Sequence, residues 1–125
     1  MTHKDKDLLF KDLCGRLPYG VKGYLSGLDV RIEILGINGN DIFCKPLWHR
    51  QELIRDIRYV KPYLRPMSSM TEEEKLMYEG LMMGTDSVPY MSDVIDWLNE
   101  NMFDYRGLIP KDLALSTEEY NPYEE

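Results

Sequence analysis

The sequence predicts an α+β fold: an N-terminal helix, then a small antiparallel meander of three or four strands, then two C-terminal helices packed on one sheet face. Three observations predict it. Apolar residues recur at helical spacing near the N-terminus, period-two alternation follows and ends at Asn38-Gly39, and helical spacing returns beyond a capping signature at Thr71. An antiparallel sheet with helices segregated to one side supplies a core from a single sheet face.

Leu9, Phe10, Leu13, Cys14 and Leu17 recur with Lys11, Asp12 and Arg16 between them, so residues 5–16 read as an amphipathic helix stopped by Gly15 and Pro18. Residues 21–25 and 29–37 carry period-two patterns, clearest where Val30, Ile32 and Ile34 alternate with Arg31, Glu33 and Leu35. Asn38-Gly39 accepts the positive φ angles of a type I′ hairpin turn, which returns residues 41–45 as a third strand. Between Pro46 and Pro66, Leu53, Ile54 and Ile57 fit a short helix, whereas Pro62 and Pro66 favour an extended chain over residues 57–64.

Thr71-Glu72-Glu73-Glu74 is a capping box, in which the threonine hydroxyl accepts from the Glu74 amide and that carboxylate accepts from the Thr71 amide. It starts a helix over residues 72–83, which Gly84 and Pro89 break. A second helix follows, with Met91, Ile95, Leu98 and Met102 on one face beside Val94, and Asp93, Asp96 and Glu100 facing away. Gly107 suits a left-handed helix end and Pro110 opens a further turn, so Leu108, Ile109, Leu113 and Leu115 tuck against the core. Residues 116–125 mix acid, proline and tyrosine without periodicity and read as a mobile tail beyond a single domain of residues 1–115.

Composition narrows the function classes. At 125 residues and 43% apolar content, one domain with one core is expected. No apolar run approaches the roughly 18–20 residues that span a bilayer, and no secretory leader opens the chain, so a cytoplasmic location and no membrane partner are expected. The formal charge is −7, but residues 117–125 hold four glutamates and no base; the rest carries 18 acids against 15 bases. A nearly balanced body argues against nucleic-acid binding, which a basic surface drives, although Arg55, Arg58, Lys61 and Arg65 form one candidate patch.

No catalytic constellation is visible. Cys14 and Cys44 are thirty positions apart and read as reduced core thiols. Of the two histidines, His3 lies near the N-terminus and His49 beside Trp48. A Cys44–His49 pair would need the loop between them to bring both groups together and a third group to orient the imidazole. The glutamates at positions 72–74 are explained by capping and the helix dipole. There is no metal-ligand spacing and no phosphate-binding glycine pattern, so no cofactor and no metal are expected. Two segments combine aromatic and basic residues, Lys61-Pro62-Tyr63-Leu64-Arg65-Pro66 and Phe103-Asp104-Tyr105-Arg106-Gly107. Tyr63, Arg65, Trp97, Tyr105 and Arg106 are therefore the candidate interaction surface.

Residues 61–74, Asp96-Trp97-Leu98-Asn99, residues 103–109 and the opening residues 7–14 and 17–21 resemble recurring segments of small proteins of uncharacterised function from gut Bacteroidetes, often encoded by prophages or related mobile elements. The likeness spans most of residues 7–115, and is weakest over residues 48–59 and in the acidic tail. It implies a prokaryotic cytoplasmic setting and carries over no activity, cofactor or catalytic residue. The leading expectation is a non-enzymatic accessory protein that binds a host or phage protein. The alternatives are a small-molecule enzyme using Cys44 and His49 or carboxylates, and a nucleic-acid-related protein.

Overall fold

A computed structural model describes residues 1–83 and 89–124, for residues 89–91 by backbone alone. Helix α1 (His3–Arg16) starts at a capping box between Thr2 and Asp5. Strands β1 (Lys22–Leu25), β2 (Val30–Asn38), β3 (Asp41–Pro46), β4 (Leu53–Asp56) and β5 (Val60–Leu64) follow, then helices α2 (Glu72–Met82) and α3 (Pro89–Glu100) and a two-residue strand, β6 (Leu115–Ser116). The α+β class is as expected, with three α-helices and six strands among the described residues, the strands in the order β4-β3-β2-β1-β5-β6. All pairings are antiparallel except β5–β6. The expected three or four strands understate the sheet. The extra strands pair at long sequence separation or with few residues, which local alternation does not register.

The connection between β4 and β5 dictates the shape of the sheet. Only residues 57–59 separate these strands, so four Cα steps of about 3.8 Å, roughly 15 Å, join elements four strand spacings apart in sheet order, roughly 19 Å if flat. The sheet must curl to bring β4 toward β5. A short 3₁₀ turn over Ile57–Tyr59 makes the crossing. The Ile57 amide donates to the Asn40 carbonyl (2.8 Å), and the Ser26 amide donates to the Tyr59 carbonyl (2.9 Å). The nine-residue β2 bends with the curl through a bulge between Ile34 and Gly36. At Gly23, on β1, a Cβ would stand 2.7 Å from the Lys61 carbonyl oxygen, so a glycine is required for β5 to lie this close.

The curled sheet fills its own interior. Val21, Leu25, Ile32, Ile34, Ile42, Cys44, Val60 and Leu64 form the main core, which Leu9 and Leu13 of α1 cover. Consequently α1, rather than the two C-terminal helices, closes the sheet. Helices α2 and α3 pack on each other over a second cluster built from Met70, Val94, Leu98 and Phe103. The expected packing of both helices on one sheet face is corrected accordingly. Val94 and Leu98 carry the inner face of α3, while Ile95 is 36% exposed. The expected break at Gly84 lies outside the described residues, as does the side chain of Met91.

Other local expectations shift by a residue or two. The β2–β3 turn is Gly39-Asn40, with Asn38 paired to Asp41 and positive φ at Gly39 only, the pattern of a II′ turn. Leu53 and Ile54 lie in β4, not in a short helix, because they pair with Cys44 and Phe43. The exposed edge of β4 is blunted: the Arg55 guanidinium donates to the Ile54 carbonyl (2.8 Å) and the strand ends at the Asp56 turn. The residue that closes α3 in the left-handed region is Met102 (φ +60), while Gly107 (φ +74) turns the loop beyond it. No helix among the described residues is long and apolar enough to cross a membrane.

Candidate functional site

The two aromatic and basic segments singled out in the sequence meet in space. The Arg65 amide donates to the Met102 carbonyl (2.7 Å), and the Asp104 amide donates back to the Arg65 carbonyl (2.8 Å). Arg65 then sends its guanidinium over the Phe103 ring, 4.1 Å from the centroid, and binds Glu74 with both terminal nitrogens (2.7 and 2.6 Å). The Asp104 carboxylate accepts from the Leu108 and Ile109 amides (2.8 and 2.9 Å) and so fixes the next turn.

Burial sorts the candidate residues. Tyr63 is only 4% exposed and is not a free aromatic: it lies on the face of β5 opposite the core residues Val60 and Leu64, where the tail described below covers it. Arg65 is held by Glu74. Trp97 is half-buried, stacked between Tyr78 and Phe103. Tyr105 and Arg106 are also half-buried, and the Tyr105 hydroxyl donates to Asn99 (2.9 Å) while receiving Arg106 (3.3 Å).

Behind Tyr105 lies a charge cluster that the sequence reading passed over. Asp12 and Arg16, one helical turn apart on α1, are both fully buried. Arg16 donates from Nε and Nη2 to the two Asp12 oxygens (2.8 and 3.0 Å), and from Nη2 to the Phe103 carbonyl (2.6 Å). Arg106 Nε lies 3.4 Å from the same carboxylate. One buried carboxylate thus faces two guanidiniums, and Arg16 Nη1 makes no hydrogen bond among the described residues. The cluster ties α1 to the loop after α3. A signal was available: positions 9, 12, 13 and 16 share one helical stripe, and Asp12 and Arg16 sit on it with Leu9 and Leu13. Cys14, expected in the core, is instead exposed.

An open groove of about 880 Å³ lies beside Arg65, between the start of α2, the end of α3 and the C-terminal segment. Glu73, Glu74, Glu100, Glu118 and Glu124 line it, with Arg65 as the only base among the described residues. The Arg65 hydrogen bonds, together with the Thr71 amide, hold the Glu74 carboxyl well below its ordinary range, at about 2. That direction is opposite to what a general acid at neutral pH needs. It also ties stability to pH. Glu74 is depressed in the folded state, so its contribution is fully present above its unfolded value near 4.5 and is lost as pH falls toward 2. Replacing Glu74 by Gln is expected to remove on the order of 2 kcal/mol at pH 7. It should also flatten the acid limb of a denaturation series between about pH 4.5 and 2. An unchanged acid limb would refute this role.

The C-terminal segment, read from its composition as a mobile tail, makes defined contacts with the domain. Leu115 and Ser116 pair with Tyr63 and Leu64, Tyr120 packs on Tyr63 and beneath the Arg31 guanidinium, and Tyr123 is partly buried against the main core. The Tyr123 hydroxyl accepts from the Lys22 amide (2.9 Å) and donates to the Tyr63 carbonyl (2.8 Å). Burial pushes this phenol far above its ordinary range, so it stays protonated. Aromatic anchors at irregular intervals escape a periodicity test, which is why the tail read as unstructured. Tyr123→Phe, which strands both backbone groups, is expected to cost about 1–3 kcal/mol in a urea titration.

The outer face of α2 is the other distinctive surface. The helix has no buried residue, and Leu76, Met77 and the capping residue Met83 are 70%, 55% and 83% exposed. Its inner side, with Tyr78 and Leu81, packs on the second cluster.

The alternative sites are not assembled. Cys44 is fully buried, and burial raises its thiol pKa. His49 is exposed, accepting at Nδ1 from the Gln51 amide (3.0 Å). No hydrogen bond joins the two, and Cys44 does not line the apolar hollow of about 300 Å³ that His49 borders with Leu28, Val30, Pro46, Trp48 and Leu53. Each of the four candidate bases is engaged within the fold: Arg58 pairs with Asp56, Lys61 with Asp112 and Arg65 with Glu74, while Arg55 folds back on its own strand. Among the described residues, no three histidine, cysteine or acidic side chains converge to hold a metal ion. Comparison with protein-family models, with curated proteins and with solved structures gave no match for this chain.

Proposed function

We propose that this chain is a non-enzymatic interaction protein, an accessory factor of a prophage or mobile element that acts in the cytoplasm by binding a host or phage protein. One observation carries the reading: α2 turns Leu76, Met77 and Met83 to solvent while burying none of its own residues. A contiguous apolar stripe on a small protein marks a contact surface, and methionine suits it because an unbranched thioether side chain adapts to its partner. Trp97, Tyr105 and Arg106, half-exposed, are available to extend the contact, whereas Tyr63 and Arg65 serve the fold.

Affinity capture of the tagged chain from its native host tests the reading, run in parallel with a Leu76→Glu/Met83→Glu variant. The expected result is a partner recovered by the native chain and lost from the variant, with the circular dichroism spectrum unchanged because neither side chain is in a core. A partner retained at equal yield by the variant, or none above background, overturns it.

A further inference from the structure

We infer that the segment received by α2 is a basic amphipathic one, with apolar residues along the helix and lysine or arginine over the neighbouring groove; this rests on the interaction reading above. Glu73, Leu76, Met77, Gly80 and Met83 are spaced i, i+3, i+4, i+7 and i+10. At 3.6 residues per turn they form one stripe roughly 120° wide and about 15 Å long. The stripe is apolar at its C-terminal end. At its N-terminal end Glu73 opens into the groove, where Glu100, Glu118 and Glu124 add carboxylates.

Among the described residues, no base pairs with Glu73, Glu100, Glu118 or Glu124. Arg65, the only base among the described residues that line the groove, is taken up by Glu74. The only base on α2, Lys75, reaches Glu72 at 3.5 Å. Among the described residues, nothing lies within 4 Å of where a Cβ on Gly80 would stand, so a partner backbone can approach the middle of the stripe. Burying Leu76, Met77 and Met83 supplies the hydrophobic attraction, and the carboxylates supply direction, since complementary charge sets orientation and on-rate. A second copy of this chain is the poorer occupant. It carries a formal charge of −7 and would bring its own Glu72, Glu73 and Glu79 against the same carboxylates.

The test selects a phage-displayed library of random peptides, roughly 16 residues and so long enough to cover the stripe as a helix, on the full chain. A Leu76→Glu/Met83→Glu variant and a Glu100→Lys/Glu118→Lys variant serve as counter-targets. The expected peptides carry apolar residues at helical spacing and lysine or arginine clustered at one end. A synthetic copy should bind the native chain with Kd on the order of micromolar and each variant about tenfold more weakly. Affinity should fall between about 50 and 300 mM salt for the native chain and much less for the lysine variant. Peptides without clustered bases, or bound equally by the lysine variant, overturn the charge inference while leaving the interaction reading intact. Sedimentation equilibrium showing a dimer that Leu76→Glu/Met83→Glu dissolves would assign the face to a second copy and overturn it too.

Discussion

Alanine in place of Asp12 is expected to lower the unfolding free energy by about 3–5 kcal/mol, the usual cost of removing one partner from a buried ion pair. The effect is large because Asp12 is, among the described residues, the only carboxylate bonded to the fully buried Arg16 and also lies 3.4 Å from Arg106. Its loss leaves two guanidiniums facing each other without a counter-charge. A denaturant titration reads the effect as a lower midpoint at constant slope. Arg106→Ala should cost much less, since the Arg106 side chain is 30% exposed and Asp12–Arg16 survives as a pair. The double variant Asp12→Leu/Arg16→Met should recover part of the loss, because an apolar pair needs no compensating charge. A loss below about 1 kcal/mol for Asp12→Ala would show that water reaches the cluster.

Phe103→Ala is expected to cost about 3–5 kcal/mol as well, through a cavity in the second cluster. Phe103 is fully buried, stacks on Trp97 with centroids 5.5 Å apart and lies under the Arg65 guanidinium. Its amide donates to the Leu98 carbonyl (2.9 Å), and its carbonyl accepts from Arg16. It therefore joins α3, the Arg65–Glu74 pair and the Asp12 cluster. Because this cluster is separate from the sheet core, hydrogen exchange in Phe103→Ala should accelerate more in α2 and α3 than in β1–β3. Equal acceleration in both regions would mean that the two clusters open as one unit. Phe103→Leu should be milder, as much of the volume is kept.

Much of the local structure was legible from the residues. The Thr71–Glu74 capping box starts α2 where expected, and alternation at Val30, Ile32 and Ile34 marks β2. The site was legible only in outline. Residues 61–66 and 103–107 were marked by composition, and both lie at the junction around Arg65 and Phe103, but spacing carries no information on which side chains turn inward. Tyr63 looked available and is buried, whereas Leu76 and Met83, which the pattern assigned to no face, are exposed. A stripe of apolar residues reads identically whether it faces its own domain or a partner.

By itself the sequence determined the α+β class, the start of α2, the first three strands and the hairpin at position 39, all of which rest on interactions within a few residues. Only the tertiary structure decided the rest. The curl of the sheet follows from a three-residue link between β4 and β5, which constrains the chain only once strand order is known. The burial of Asp12 and Arg16 depends on the Phe103 carbonyl, 87 positions from Arg16, and the seating of the tail depends on Tyr123 reaching Lys22 across 101 positions. Such contacts are set by how the elements close on one another, and a pattern read along the chain has no means of encoding that closure.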